Sequence, residues 1–176
     1  MLLTLCRYFY MVSIIQVQDT KLDFTELDKF HKDAGQDMPP TGVYPYDTAY
    51  GSEILYMTLV KEEYKELQEA LHALTHGTAD DGTCDIEGFA GIAKEALDCI
   101  VVLVGLLKSL GIPITECWDE LMRELASKRL PNGDFLRRAD GKILKPDTFK
   151  KADIVRVLLE ATDKRDATMK NIDRFF

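Results

Sequence analysis

The residues best suited to chemistry in this chain are acids placed where a helix should be apolar. Read at about 100° per residue, 53–74 carries an apolar stripe of Leu55, Tyr56, Leu59, Val60, Leu67, Ala70, Leu71 and Leu74. Lys61, Lys65, Gln68 and His72 fall on the opposite side, as a solvated face requires. Glu63 and Glu66 fall inside the stripe, with Glu62 and Glu69 at its edge. An ionised carboxylate in a dry core is costly unless something pairs it. The next long apolar run, from Ile92 to Leu107, repeats the anomaly. There Glu95 shares a side with Cys99, Val102 and Leu106, and Asp98 follows one turn on. Two helices, each with carboxylates at i and i+3, can bring four oxygen-bearing side chains to one point. Hard divalent cations take that donor set, and Mg²⁺ does so while keeping water and phosphate oxygens in its shell. Salt bridges to neighbouring lysines are the plainer use of such acids; two pairs on consecutive helices favour a metal site.

The elements that must hold these acids are helices. The spacing of Leu22, Phe24, Leu27 and Phe30 predicts a first helix over 22–34. Gly35, Pro39, Pro40, Gly42, Pro45 and Gly51 then impose a loop. A long helix is predicted over 52–75, a polar loop over 76–88, and a second long helix over 89–110 that stops at Gly111. The latter is apolar on nearly every side, which predicts a central helix. Thr115 can cap a helix running to about Lys128. Over 129–150 two turn signals, Pro131-Asn132-Gly133-Asp134 and Ala139-Asp140-Gly141-Lys142, predict a loop or small hairpin. A last helix is predicted over 151–162, with a charged tail after it. The expected architecture is all-α, a four- to five-helix bundle: an N-terminal arm over 1–21, one domain over 22–162 and a tail over 163–176.

Length and charge narrow the function. One domain with a proper core suits 176 residues. Thirty acids against twenty-two bases, a net charge of −8, leave no broad basic face, so nucleic acid is not expected as a partner. A nucleotide substrate stays open, because bound divalent cations invert the local charge. The four cysteines, Cys6, Cys84, Cys99 and Cys117, lack zinc-ligand spacing and read as reduced thiols in a cytoplasmic setting. Residues 1–17 are rich in apolar side chains, but Arg7 interrupts them and no cleavage signature follows, so no membrane span is expected. They read as a short strand, an extended arm or a subunit contact, with Met11 an alternative start.

Glu62-Glu63-Tyr64-Lys65-Glu66 matches E-E-x-x-E, and Glu95-Ala96-Leu97-Asp98 a following E-x-x-D. Phe30-His31 stands in the first helix. Ser127-Lys128, Arg138-Ala139-Asp140-Gly141-Lys142 and Lys145-Pro146 form an S-K…DGK-x-x-K-P stretch. Over roughly 24–154 the chain resembles the MazG-like, all-α nucleoside triphosphate pyrophosphohydrolases, relatives of dimeric dUTPases and of phosphoribosyl-ATP pyrophosphohydrolase. The resemblance implies Glu63, Glu66, Glu95 and Asp98 as ligands of Mg²⁺ or Mn²⁺, with Glu62 as a water-orienting group or general base. Lys128, Arg138, Lys142 and Lys145 follow in a loop that can fold over the phosphates as substrate contacts, and His31, Phe30 or Trp118 can contact the base, although an aromatic at helical spacing more often belongs to the core. The resemblance further implies hydrolysis of a (d)NTP, dGTP among the candidates, to the monophosphate and pyrophosphate. A homodimer or tetramer, cytoplasmic or in the host cytoplasm if phage-encoded, is the expected setting. Leu125 stands where many relatives carry Asn, so substrate preference is not carried over from any one of them. Phosphoribosyl-ATP or dUTP hydrolysis, and a catalytically silent helical oligomerisation module, are the alternatives.

Overall fold

The computed structural model describes residues 23–36, 38–44, 52–76 and 85–172. Five helices follow in order: α1 (Thr25–Asp33), α2 (Ser52–His76), α3 (Ile86–Ser109), α4 (Ile114–Ala126) and α5 (Ile154–Ile172). The chain is an all-α bundle, as the periodicity predicts. The N-terminal segment 1–21 lies outside the described residues.

The frame is the pairing of α2 with α3. Tyr56, near the start of α2, lies against Gly105, near the end of α3, while Glu63 and Glu66 meet Glu95. The two helices are therefore antiparallel, and each step forward on one is a step back on the other. Gly105 makes the close approach possible, since a Cβ there would stand 2.0 Å from the Tyr56 ring. α3 begins at Ile86, three residues before the predicted start, because Asp85 caps it: its Oδ1 accepts from the Gly88 N–H at 2.8 Å. It ends at Ser109, and Gly111 turns the chain away just beyond it, with a φ of +67° that suits glycine and an N–H that donates to the Lys108 carbonyl.

α1 is pinned across the end of this pair. Lys108 on α3 forms an ion pair with Asp28, and Tyr56 donates from its hydroxyl to Gln36 at 2.7 Å. The Tyr44 hydroxyl and Arg165 tie segment 38–44 to α5, through the Leu158 and Gly42 carbonyls at 2.8 Å each.

Three expectations need correction. The last helix does not end near 162 but runs to Ile172, because 163–172 contains charged helix formers and no glycine or proline. Thr115 does not cap α4; the helix starts at Ile114 after Pro113, which supplies no side-chain cap. α3 is not enclosed as a central helix. It packs mainly on α2, and Ile86, Phe89, Leu97, Ile100 and Leu103 stay exposed. The described elements of one chain form too few layers to cover a helix that is apolar all round.

Candidate active site

On α2 the side facing α3 is Tyr56, Leu59, Val60, Glu63, Leu67, Ala70 and Leu74, all buried or half-buried. Leu55 and Leu71, expected in the same stripe, are exposed, so the true stripe is narrower and Glu63 lies near its centre. The antiparallel register then sets Glu66 beside Glu95 and Glu63 near Asp98. One carboxylate oxygen each from Glu63, Glu66 and Glu95 lies within 4.8 Å of the others. Asp98 adds a fourth acid one turn from Glu95. Glu62 and Glu69 are exposed at the margin, and Glu69 pairs with Lys65 at 3.4 Å.

The electrostatics of the cluster are those of crowded like charges. Partial burial pushes the Glu63 carboxyl above its usual range, and the carboxylates of Glu66 and Asp98 push it further. Among the described residues Glu63 and Glu66 have no hydrogen-bond or ion-pair partner. Cys99 adjoins the group: burial first, then Glu63, Asp98 and Glu95, push its thiol upward, so it stays protonated. Among the described residues Lys94 is the cation bound to the acids, donating to Asp98 at 2.8 Å and to both Glu95 oxygens at 3.1 and 3.2 Å. The sequence reading passed over Lys94, because a lysine beside a glutamate on a helix is an ordinary surface pair. Hard oxygen donors of net negative charge, two without partners, fit a Mg²⁺ or Mn²⁺ ion.

The other expected site residues are placed elsewhere. His31 is buried at 2% exposure, its ring edge-on to Tyr56, with both ring nitrogens unpartnered. Burial, assisted by Lys108 and opposed by Asp28, holds its pKa below the usual value. Tyr56 precedes Glu63 by seven residues, about 10 Å along a helix, so His31 lies beyond the end of the cluster. The segment 129–150 is folded into two successive turns, with antiparallel bridges Arg129–Phe135 and Arg137–Ile143. Arg138 pairs with Asp140 of its own turn, and Lys145 lies 4.5 Å from the Phe149 ring centre. Lys142 is exposed and Lys128 half-buried. Among the described residues no hydrogen bond or ion pair joins these cations to the acid cluster.

Ser127, the first residue of the S-K…DGK-x-x-K-P stretch, works as a latch. Its hydroxyl oxygen accepts from the Lys150 N–H at 2.9 Å while its O–H faces the Glu124 carbonyl at 2.7 Å. Beside it lies a knot absent from the sequence reading. Glu120, at 5% exposure, accepts from Arg123 at 2.5 and 2.9 Å, from Arg156 at 3.0 Å and from the Asp153 N–H at 2.7 Å. These bonds pull its pKa from 4.5 to about 2 and fix the start of α5 to α4.

An all-α chain with acids facing one another across two antiparallel helices has the build of the MazG-like pyrophosphohydrolases, enzymes that cleave phosphoric anhydrides. The family model for phosphoribosyl-ATP pyrophosphohydrolase matches residues 26–124, more than half of the chain, and the chain belongs to that family. The match spans α1, α2, α3 and most of α4, and stops before Lys128 and the basic turns. No curated protein matches the chain. No single helix among the described residues is long and apolar enough to cross a membrane.

Proposed function

We propose that this pyrophosphohydrolase converts a nucleoside triphosphate, with purine substrates such as dGTP among the candidates, to the monophosphate and pyrophosphate. Glu63, Glu66, Glu95 and Asp98 would hold Mg²⁺ or Mn²⁺. The observation that carries this reading is the convergence of three carboxylate oxygens within 4.8 Å across two helices. When bound, the divalent ion neutralises triphosphate charge and polarises the scissile phosphoryl group. The acids fix its position, and the paired helices keep them from separating. Glu62, exposed beside Glu63, orients the attacking water or takes its proton.

Lys128, Arg138, Lys142 and Lys145 are the proposed phosphate contacts, reaching the site by movement of the turns or from a neighbouring subunit. His31 is the proposed contact with the base, since it lines a cavity of about 330 Å³ together with Gln36 and Met38. A homodimer or tetramer is proposed because α3 leaves Ile86, Phe89, Leu97, Ile100 and Leu103 bare. The family match favours one second reading, phosphoribosyl-ATP as substrate.

A pyrophosphate-release assay across the eight common (d)NTPs and phosphoribosyl-ATP, with Mg²⁺ or Mn²⁺, tests the proposal. Turnover of at least one triphosphate, abolished by chelation, is expected. Turnover of phosphoribosyl-ATP alone selects the second reading, and no release from any substrate contradicts both.

A further inference from the structure

We infer that Lys94 holds the carboxylates of α3 in place when no metal ion is bound, and that a divalent ion must displace it. The inference rests on the reading of the cluster as a metal site. Glu95 and Asp98 are the two acids that α3 contributes, and Lys94 engages oxygens of both, at 2.8 Å from Asp98 and 3.1 and 3.2 Å from Glu95. The ammonium therefore occupies oxygens of both acids that α3 offers to a metal ion.

The side chain is built to leave. Glu95 is turned inward, with its side chain 16% exposed, whereas that of Lys94 is 64% exposed. Its flexible stem reaches the acids from the solvent side, and releasing it requires no repacking. One compact monovalent charge meets two acids, leaving Glu63 and Glu66 without a cation. A divalent ion can be coordinated from both helices at once and wins the exchange. Lys65 does not share this position, since it pairs with Glu69 at 3.4 Å on the outer side of α2.

Displacement has two measurable consequences. Without Lys94 the metal loses this competitor, and without Lys94 or metal the acids of α3 repel one another. The test uses the full chain without nucleotide, comparing wild type, Lys94→Met and the charge-matched control Lys65→Met by calorimetric titration with Mg²⁺ and by thermal melting. Methionine keeps stem length and helix propensity. Lys94→Met is expected to tighten Mg²⁺ binding about fivefold, the upper range for an exposed ion pair. It should also lower the metal-free Tm and enlarge the rise in Tm on adding Mg²⁺, while Lys65→Met matches wild type in both. Unchanged or weaker Mg²⁺ binding by Lys94→Met overturns the inference alone. Failure of wild type to take up Mg²⁺ or Mn²⁺ overturns the metal site and this inference with it.

Discussion

Glu120, between α4 and α5, and Glu63, between α2 and α3, are both acids set into helix packing, and their surroundings are opposite. Glu120 receives hydrogen bonds from two guanidinium groups and a backbone N–H, and its pKa falls to about 2. Glu63 has no partner among the described residues, faces other carboxylates, and is pushed above its usual range. The same side-chain chemistry thus serves two purposes. A satisfied buried acid joins elements, whereas a crowd of unsatisfied acids is a place prepared for a cation. The contrast separates a structural carboxylate from the carboxylates proposed to hold the metal, without reference to any relative.

Substitution is the strongest way to break the comparison. Glu63→Gln, Glu66→Gln, Glu95→Gln and Asp98→Asn are each expected to cut turnover at least ~100-fold, as loss of transition-state charge stabilisation does. Circular dichroism should show intact helices, and in Glu63→Gln and Glu66→Gln, acids without a cation partner among the described residues, the metal-free Tm should hold or rise as repulsion is relieved. Glu120→Gln should do the reverse, keeping kcat near wild type while lowering Tm by several degrees. Near-normal turnover in two of the four cluster variants would break the assignment. So would a Glu120→Gln protein that is inactive at unchanged Tm.

Acidity sharpens the contrast with a smaller effect. The folded pKa of Glu120 is depressed, so its contribution to stability is present above 4.5 and is lost as pH falls toward about 2. Glu63 has the opposite sign: its raised pKa means that the metal-free protein is less stable once pH rises through that value. His31, depressed below 6.5 by burial, makes the unfolded chain the better proton acceptor, so stability also falls as pH drops below 6.5. Melting curves across pH should lose the lowest acid limb in Glu120→Gln and, in metal-free Glu63→Gln, the loss of stability that accompanies Glu63 ionisation. Curves that superimpose on wild type would contradict the signs.

The smallest expected effects are at the basic turns. Arg138→Ala and Lys145→Ala should raise KM more than Lys61→Ala, and amides of 129–150 should gain hydrogen-exchange protection when a nonhydrolysable triphosphate and Mg²⁺ are added. Because Arg138 already pairs with Asp140, its effect should be the lesser of the two. Unchanged exchange and kinetics would remove these turns from the mechanism.

The sequence made much of this legible. Long helices show in the 3.6-residue period, and Glu63, Glu66, Glu95 and Asp98 show as interruptions of apolar stripes that two facing helices must reconcile. Glu120 did not show, because Glu-x-x-Arg looks like an ordinary surface pair. Its burial depends on Asp153 and Arg156 arriving from more than thirty residues away. Lys94 hid for a similar reason, since its importance comes from the partners that its neighbours acquire across the bundle. The extent of α5 was missed because Asp163, Lys164, Arg165 and Asp166 read as a solvated tail, although nothing in them stops a helix.

The central claim is that the acids of α2 and α3 together make one divalent-ion site. Mn²⁺ binding followed by electron paramagnetic resonance tests it directly, in wild type, Glu63→Gln, Glu95→Gln and Glu120→Gln. The account predicts that wild type and Glu120→Gln quench the free Mn²⁺ signal alike, while a single loss from either helix, Glu63→Gln or Glu95→Gln, weakens binding at least tenfold, the scale of about 1.4 kcal/mol. Equal Mn²⁺ binding in wild type, Glu63→Gln and Glu95→Gln would contradict it.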